Sequence, residues 1–277
     1  MQFDSYRPGP PLSRFVDSLW LYQSEPQPYA CERALPTGAA QIVINLVDEE
    51  NPSQHPSSPH DAHHDQRGRG ALLQGAYSTY FHIRSDQPEW RIGIQFRPGG
   101  AYPFFAPPAS AVHDTHIALD ALWGVQAQEL RERLVNAATP ETQFPLLEQF
   151  LLAQAVRPLE HHPAVAFALG RFSATPQPST MAQIAQEIGL SHNRFIQVFR
   201  DEVGLTPKQF CRIRRFLGVL RRAHAHEHVA WAQVALECGY YDQAHLSNDF
   251  RALTGVCPSA YLRMRFERFL TYVMAPS

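Results

Sequence analysis

Short alternating runs of apolar and polar residues fill the first 110 positions and predict β-strands. Six such segments are rich in aromatic and β-branched residues and are separated by Pro, Gly or Ser: 15–22, 29–35, 40–47, 71–77, 80–84 and 90–96. Several short strands at this spacing are typical of a small antiparallel barrel or sandwich.

From about residue 115 the apolar positions follow a helical period instead. Proline, histidine and charge interrupt that period at 157–163, before a second helical region begins. The predicted class is therefore α+β. We expect an N-terminal domain at 1–156 (β-rich over 1–110, helical over 115–156), a linker at 157–163, an all-helical domain at 164–268 and a tail at 269–277.

The helical region contains an internal repeat. Residues 184–210 (IAQEIGLSHNRFIQVFRDEVGLTPKQF) resemble residues 234–261 (VALECGYYDQAHLSNDFRALTGVCPSAY). Gly189 corresponds to Gly239 and Phe199 to Phe250, so one residue is inserted in the second turn. The sequence of each copy predicts two helices that are joined by a turn containing glycine.

The residue types match a helix-turn-helix. Ala185 and Ala235 allow the two helices of each copy to cross closely, and the turn glycines can adopt a positive φ. Ser191 and Asp242 are the expected N-caps of the second helices. An apolar stripe on each second helix is predicted to be buried: Phe195, Phe199 and Val203, then Leu246, Phe250 and Leu253.

The opposite stripe of each second helix carries amide, small apolar and arginine side chains. With the residues at the helix starts, the candidate DNA contacts are Ser191, Asn193, Arg194, Ile196, Gln197 and Arg200, then Gln243, Ala244, Ser247, Asn248 and Arg251. Amides suit adenine, apolar groups suit the thymine methyl, and arginine suits guanine or phosphate. The alternative to DNA binding is an ordinary solvent-exposed face, because amide and arginine side chains are common on exposed helices.

A predicted spacer helix at 210–225 separates the two copies and carries five arginines: Arg212, Arg214, Arg215, Arg221 and Arg222. Phe216, Leu217 and Leu220 give it an apolar stripe that can pack on both copies. A fixed separation would place the two recognition helices in successive major grooves, about 34 Å apart.

Charge is distributed unevenly along the 277 residues, whose net charge is −2. Residues 1–163 hold 11 basic and 18 acidic residues, a net charge of −7, and residues 164–277 hold 13 basic and 8 acidic ones, a net charge of +5. A basic second half indicates an anionic partner. Scattered cysteines and apolar runs far below the roughly 20 residues of a membrane helix favour a cytoplasmic protein without a membrane partner.

Residues 164–268 resemble the DNA-binding domain of AraC/XylS-type bacterial transcription regulators, through IAxxxGLSxxxFxxxFRxxxGLTPxxF and VAxxCGYYDQAHLxxDFRxxxGxxPxxY. The resemblance implies two helix-turn-helix units joined by a long helix, with double-stranded DNA and RNA polymerase as partners. It assigns most base contacts to Asn193, Ile196 and Gln197, and further contacts to Gln243, Ala244 and Asn248. Asn248 departs from the arginine that is common at this position in the family.

The N-terminal half is similar, more weakly, to the sensor half of some of these regulators, through LPTGAAQIVINL (35–46) and QFRPGGAYPFF (95–105). The resemblance implies a small β-barrel that binds an effector or mediates homodimerisation. The groups that could line such a pocket are Trp20, Tyr22, Arg33, Gln41, Asn45, Gln95 and Arg97. We expect a sequence-specific transcription regulator, an activator, with no cofactor, no metal and no catalytic residue.

Four other groups of residues could suggest different chemistry. The strand region offers His82 alone to a cupin-like metal enzyme fused to a DNA-tethering domain, which is the alternative function. Histidines at 55–64 could ligate a metal, but the surrounding Pro-rich loop offers no supporting groups. His224, His226 and His228 are predicted to lie in a polar loop. Cys31 lacks the further cysteines that an alkyl-accepting thiol needs.

Overall fold

The computed structural model describes residues 2–25, 31–47, 70–84, 89–137, 139–174, 181–225, 229–264 and 271–273. The strands in these ranges are β1 (Gln2–Tyr6), β2 (Val16–Ser24), β3 (Cys31–Ala34), β4 (Gln41–Asn45), β5 (Ala71–Gln74), β6 (Phe81–Arg84), β7 (Glu89–Phe96), β8 (His116–Ala118) and β9 (Thr271–Val273). Each of the six predicted segments overlaps one strand, although β2 and β7 extend beyond the predicted bounds. The sequence did not predict β1, β8 and β9, which are short or carry few apolar residues.

Six of the strands form one antiparallel sheet in the order β1-β2-β7-β4-β5-β8. Ile42 on the central strand β4 lies opposite Leu73 on one side and Ile94 on the other. All three side chains are almost fully buried. This row of branched side chains therefore forms part of the core of the N-terminal region.

A second antiparallel sheet has the order β6-β3-β9. Its strand β9 comes from the predicted tail, yet it pairs with β3, where Thr271 lies opposite Ala34. The C-terminal segment therefore returns to the N-terminal half. Sequence periodicity gives no sign of this pairing, because three residues are too few to show a pattern.

The helices are α1 (Asp120–Trp123), α2 (Val125–Asn136), α3 (Pro140–Ala153), α4 (Pro163–Ala174), α5 (Met181–Glu187), α6 (His192–Val203), α7 (Pro207–Ala225), α8 (Trp231–Glu237), α9 (Gln243–Thr254) and α10 (Pro258–Met264). The strands followed by helices confirm the α+β class. The loop predicted at His224 is wrong, because α7 continues through that residue and His224 forms a 2.8 Å hydrogen bond with the Tyr261 hydroxyl. His226 and His228 lie outside the described residues.

Two large apolar clusters form most of the core in the described part of the chain. One joins the large sheet to α2 and α3, through residues such as Phe96 and Leu130. The other surrounds α7, with Phe216 fully buried, and it also includes Leu35 and Ala76 from the N-terminal half. The two halves of the chain therefore share apolar packing.

The segment between α3 and α4 is held by polar contacts at both ends. The Arg157 guanidinium donates to the carbonyls of Tyr102, at 2.8 Å, and Ala106, at 2.6 Å. Further along, His161 is paired with Glu202 of α6. This segment is the predicted linker, and the division of the chain at 156, 163 and 268 stays a prediction. No helix in the described part of the chain combines the length and apolar character needed to cross a bilayer.

Candidate nucleic-acid interface

The first repeat forms a helix-turn-helix from α5 and α6. Ala185 is buried where the two helices meet, and Gly189 takes the positive φ of +69° that the turn requires. The Ser191 hydroxyl caps α6 by accepting a hydrogen bond from the Arg194 backbone N–H at 3.4 Å. The α6 helix ends at Gly204, whose φ is +87°.

Burial divides α6 into two faces. Phe195, Phe199 and Val203 are almost completely buried in the helical core, as the stripe predicts. The candidate contacts lie on the other side: Ser191, Asn193, Arg194, Gln197 and Arg200 are exposed, and Ile196 is half-buried. The side chains that could meet a partner therefore point away from the core of the unit.

The second repeat builds the same arrangement from α8 and α9. Gly239 has a φ of +79°, and the Asp242 carboxylate caps α9 by accepting from the His245 N–H at 2.7 Å. Leu246, Phe250 and Leu253 are buried. On the opposite face Gln243, Ala244, Asn248 and Arg251 are exposed, and Ser247 is half-buried. Both second helices thus carry the predicted sets of side chains on the face opposite the core, and their contact with DNA stays a prediction.

The helix α7 connects the two units and is longer than the predicted spacer. Phe216 and Leu220 are fully buried on its apolar stripe. Two of its arginines are paired within the domain: Arg212 with Asp249 of α9, and Arg222 with Glu237 at 2.9 Å. The arginines of this helix therefore serve partly to hold α8 and α9.

A buried tyrosine adds to the contact between α7 and α9. The guanidinium of Arg215 lies 5.1 Å from the centre of the Tyr240 ring. Burial, reinforced by the Asp249 carboxylate, raises the pKa of Tyr240, so its phenol stays protonated at every physiological pH. The neutral ring of Tyr240 thus packs against Arg215 of α7 just before α9 begins.

Three exposed residues at the starts of α6 and α9 were missing from the predicted contacts: His192, Tyr241 and His245. Tyr241, which precedes the N-cap Asp242, is 86% exposed. Their position beside Ser191 and Asp242 makes them further candidates, because the first residues of a recognition helix approach the base edges.

The N-terminal half touches both recognition helices at their C-terminal ends. The Ser110 hydroxyl donates to Asp201 of α6 at 2.9 Å. The Arg33 guanidinium donates to the carbonyl of Thr254, the last residue of α9, at 3.0 Å, and lies 4.6 Å from the centre of the Tyr80 ring. These contacts leave the exposed faces of α6 and α9 uncovered.

A cleft lies between the N-terminal half and the end of α6. Its wall is mainly apolar and includes Tyr102, Phe105 and Val112, with Arg97 and Glu202 as its charged side chains. Among the predicted pocket residues, Arg97 lines this cleft, whereas Arg33 faces α9. The others lie on β2, β4 and β7: Trp20, Tyr22, Gln41, Asn45 and Gln95.

The structure offers no support for a metal enzyme. Among the described residues, no three His, Cys, Asp or Glu side chains cluster in a way that could hold a metal ion. His82 on β6 instead accepts a 3.4 Å hydrogen bond from Arg33. The histidines at 55–64 lie outside the described residues, and the side chain of Cys31 is not among those described.

Comparison with known proteins gives two family matches. Residues 184–264 match the family described as a helix-turn-helix domain, and residues 4–118 match a domain of unknown function (DUF6597). The chain is also 29% identical over 82 residues to the probable transcriptional regulator LumQ from Photobacterium leiognathi. That alignment covers 30% of this chain and 33% of LumQ, so only a third of the relative's length is matched.

Solved structures of bacterial regulators resemble the chain at low identity. ToxT from Vibrio cholerae is 13% identical, with 95% of this chain and 97% of that chain covered and a TM-score of 0.43. A transcriptional regulator from Chromobacterium violaceum, described as an AraC-type DNA-binding domain-containing protein, is 19% identical, with 38% and 94% covered and a TM-score of 0.34.

Proposed function

The C-terminal region belongs to the AraC-type helix-turn-helix family, as the sequence predicts, and from this premise we propose that the chain is a sequence-specific DNA-binding transcription regulator. One observation carries the proposal. Two helix-turn-helix units each bury one face of the second helix and expose a face of amides and arginine. Two such faces joined by one helix suit a bipartite site on double-stranded DNA.

The side chains on these two faces have distinct proposed roles. The amides of Asn193, Gln197, Gln243 and Asn248 pair with adenine, and Ile196 and Ala244 contact thymine methyl groups. Arg194, Arg200 and Arg251 bind guanine or phosphate, and Ser191 and Ser247 add hydrogen bonds. Phosphate contacts fix the register of the protein on the duplex, whereas the amides select the sequence.

Selection of duplexes from a random library by the full-length chain tests this function. We expect enrichment of a bipartite site of about 20 base pairs, bound with nanomolar affinity that falls steeply with rising salt as counterions are released. If the enriched duplex bound no better than a scrambled duplex of equal composition, the proposed function would be wrong.

Two variants separate base contacts from phosphate contacts. Gln197→Ala should relax the preference at one base position and leave the salt dependence unchanged. Arg200→Ala should weaken all duplexes comparably and reduce the salt slope by about 1 if it binds a phosphate. The two residues lie one turn apart on the same exposed face, so each is a matched control for the other.

We further propose that the regulator is a cytoplasmic activator that recruits RNA polymerase. Its N-terminal half is proposed to bind a small molecule or to mediate homodimerisation. The basic charge of 164–277 and the acidic charge of 1–163 support a division into a DNA-binding half and a second half with another task. The mainly apolar cleft beside α6 is the candidate effector site. In vitro transcription from the selected site, with and without the protein, distinguishes activation from repression.

A further inference from the structure

A chain of two hydrogen bonds connects the N-terminal half to a proposed base-contacting side chain. The Gln197 amide nitrogen Nε2 donates to Asp201 Oδ2 at 2.8 Å. The Ser110 hydroxyl donates to the other carboxylate oxygen, Asp201 Oδ1, at 2.9 Å. Gln197 and Asp201 lie one turn apart on α6, and Ser110 lies in the 3₁₀ turn Ala109–Val112 of the N-terminal half.

The carboxylate decides which way the Gln197 amide faces. An ionised carboxylate can only accept hydrogen bonds, so the amide nitrogen must lie on the side of Asp201 and the amide oxygen on the other. One of the two N–H groups is used by Asp201. The remaining N–H and the oxygen Oε1 form the donor and acceptor pair that adenine N7 and N6 require in the major groove.

Backbone packing holds Ser110, which makes the second of these two hydrogen bonds, next to α6. Gly204, at the end of α6, has a φ of +87°, and a Cβ there would lie 3.2 Å from the carbonyl oxygen of Ala109. The 3₁₀ turn is therefore seated directly against the end of the recognition helix. Ala109 and Val112 of the same turn also line the cleft beside α6.

The second recognition helix has no equivalent of this arrangement. By the repeat alignment, Gln197 corresponds to Asn248 and Asp201 corresponds to Ala252. Ala252 cannot accept a hydrogen bond through its side chain, so the orienting carboxylate belongs to the first unit alone.

We propose that Asp201 is a positioning residue that orients the Gln197 amide to select adenine, and that Ser110 makes this orientation depend on the N-terminal half. The inference rests on the proposed DNA-binding function and deepens it. A shift of the 3₁₀ turn would then change base selectivity at one position of the site without moving a DNA-contacting residue of α9.

Base preference in full-length variants tests the proposal. Asp201→Ala should lower the preference for adenine at the position that depends on Gln197 by about tenfold. The ratio between bases is the informative quantity, because removing a carboxylate near phosphates raises the affinity for every duplex. Ser110→Ala should lower the same ratio by a smaller factor, with unchanged preference at all other positions.

A matched control variant removes another hydrogen bond between a glutamine amide and a carboxylate, on a helix away from α6. On α2, Gln128 Nε2 donates to Glu132 Oε1 at 2.8 Å, also one turn apart and exposed. Glu132→Ala should leave every base preference unchanged. A change at the Gln197 position in this variant would mean that the loss in Asp201→Ala is a general effect of charge.

A double variant gives a readout that a purely structural role of Asp201 cannot produce. In Gln197→Glu with Asp201→Asn, the new amide donates to the new carboxylate and still accepts from Ser110. The carboxylate at position 197 accepts from cytosine N4, so the preference should switch from adenine to cytosine. Gln197→Glu alone places its carboxylate beside that of Asp201. Because the two charges repel each other, this variant should not switch its preference from adenine to cytosine.

The outcomes separate this inference from the proposed function. If the wild-type chain selects no sequence, both are wrong. If it selects a site and Gln197→Ala relaxes one position while Asp201→Ala leaves that position unchanged, the function holds and the inference alone is overturned. Selection of a base other than adenine at that position overturns the inference as well.

Discussion

Gly255 lies where the end of the second recognition helix meets the N-terminal half. It terminates α9 with a φ of +79°, and its N–H donates to the Arg251 carbonyl at 2.8 Å. A Cβ built at this position would lie 2.4 Å from Arg33 Nη1 and 3.0 Å from the Tyr80 ring. We therefore predict that Gly255→Ala breaks the contact between the two halves as well as straining the backbone.

Two costs add up in this variant. A left-handed conformation costs alanine about 1–2 kcal/mol relative to glycine. The Arg33 guanidinium must also move, and it then loses its 3.0 Å hydrogen bond to the Thr254 carbonyl. A hydrogen bond from a charged donor contributes about 1.5–3 kcal/mol. We expect a total loss of about 2.5–5 kcal/mol in the free energy of unfolding.

Gly189 provides a matched control. Its φ of +69° imposes the same backbone cost, but nothing lies within 4 Å of a Cβ built there. Gly189→Ala should therefore lose only about 1–2 kcal/mol. Urea titration of the full-length variants, followed by circular dichroism, measures both values.

A double-mutant cycle with Arg33→Ala isolates the contact. In the Arg33→Ala background, the additional cost of Gly255→Ala over Gly189→Ala should fall from about 2 kcal/mol to below about 1 kcal/mol, because the lost hydrogen bond is already absent. Equal losses for the two glycine variants in the wild-type background would refute the reasoning. So would a difference that Arg33→Ala leaves unchanged.

Three further predictions follow from local contacts. Ser191→Ala removes the cap of α6 and should lower the free energy of unfolding by about 1 kcal/mol in urea titration. A neighbouring serine hydroxyl lowers the pKa of Cys257, whereas burial raises the pKa of Cys211 to about 11. Iodoacetamide at pH 8 should therefore alkylate Cys257 before Cys211, which peptide mass spectrometry measures. Glu202→Ala removes the buried partner of His161 and should cost about 2–3 kcal/mol, whereas Glu202→Gln keeps a hydrogen-bond acceptor and should cost less in the same titration.

The sequence predicted the local architecture of the DNA-binding half because that architecture depends on short-range rules. Gly189 and Gly239 adopt the positive φ expected of turn glycines, and Ser191 and Asp242 cap their helices. The helical period identified the buried stripes correctly. The loop prediction at His224 was wrong because it rested on the i,i+2 spacing of the histidines, which does not show that the helix continues and that His224 bonds to Tyr261.

Contacts between distant parts of the chain could not be read from periodicity. The pairing of Arg212 with Asp249 joins two helices whose patterns only mark these residues as polar. Likewise, Arg33 was a candidate pocket residue by its place on a strand, but it bonds to the end of α9. A polar residue on a strand can face a pocket or a neighbouring domain, and the pattern along the strand is the same in both cases.

By itself the sequence determined the repeated helix-turn-helix, its caps and turns, and the side chains on its open faces, because each depends on residues within a few turns of one another. Only the tertiary structure decided that Ser110 and Arg33 bind the ends of the two recognition helices and that β9 pairs with β3. These partners are separated by many residues, and their meeting depends on how the two halves pack through the apolar cluster that they share.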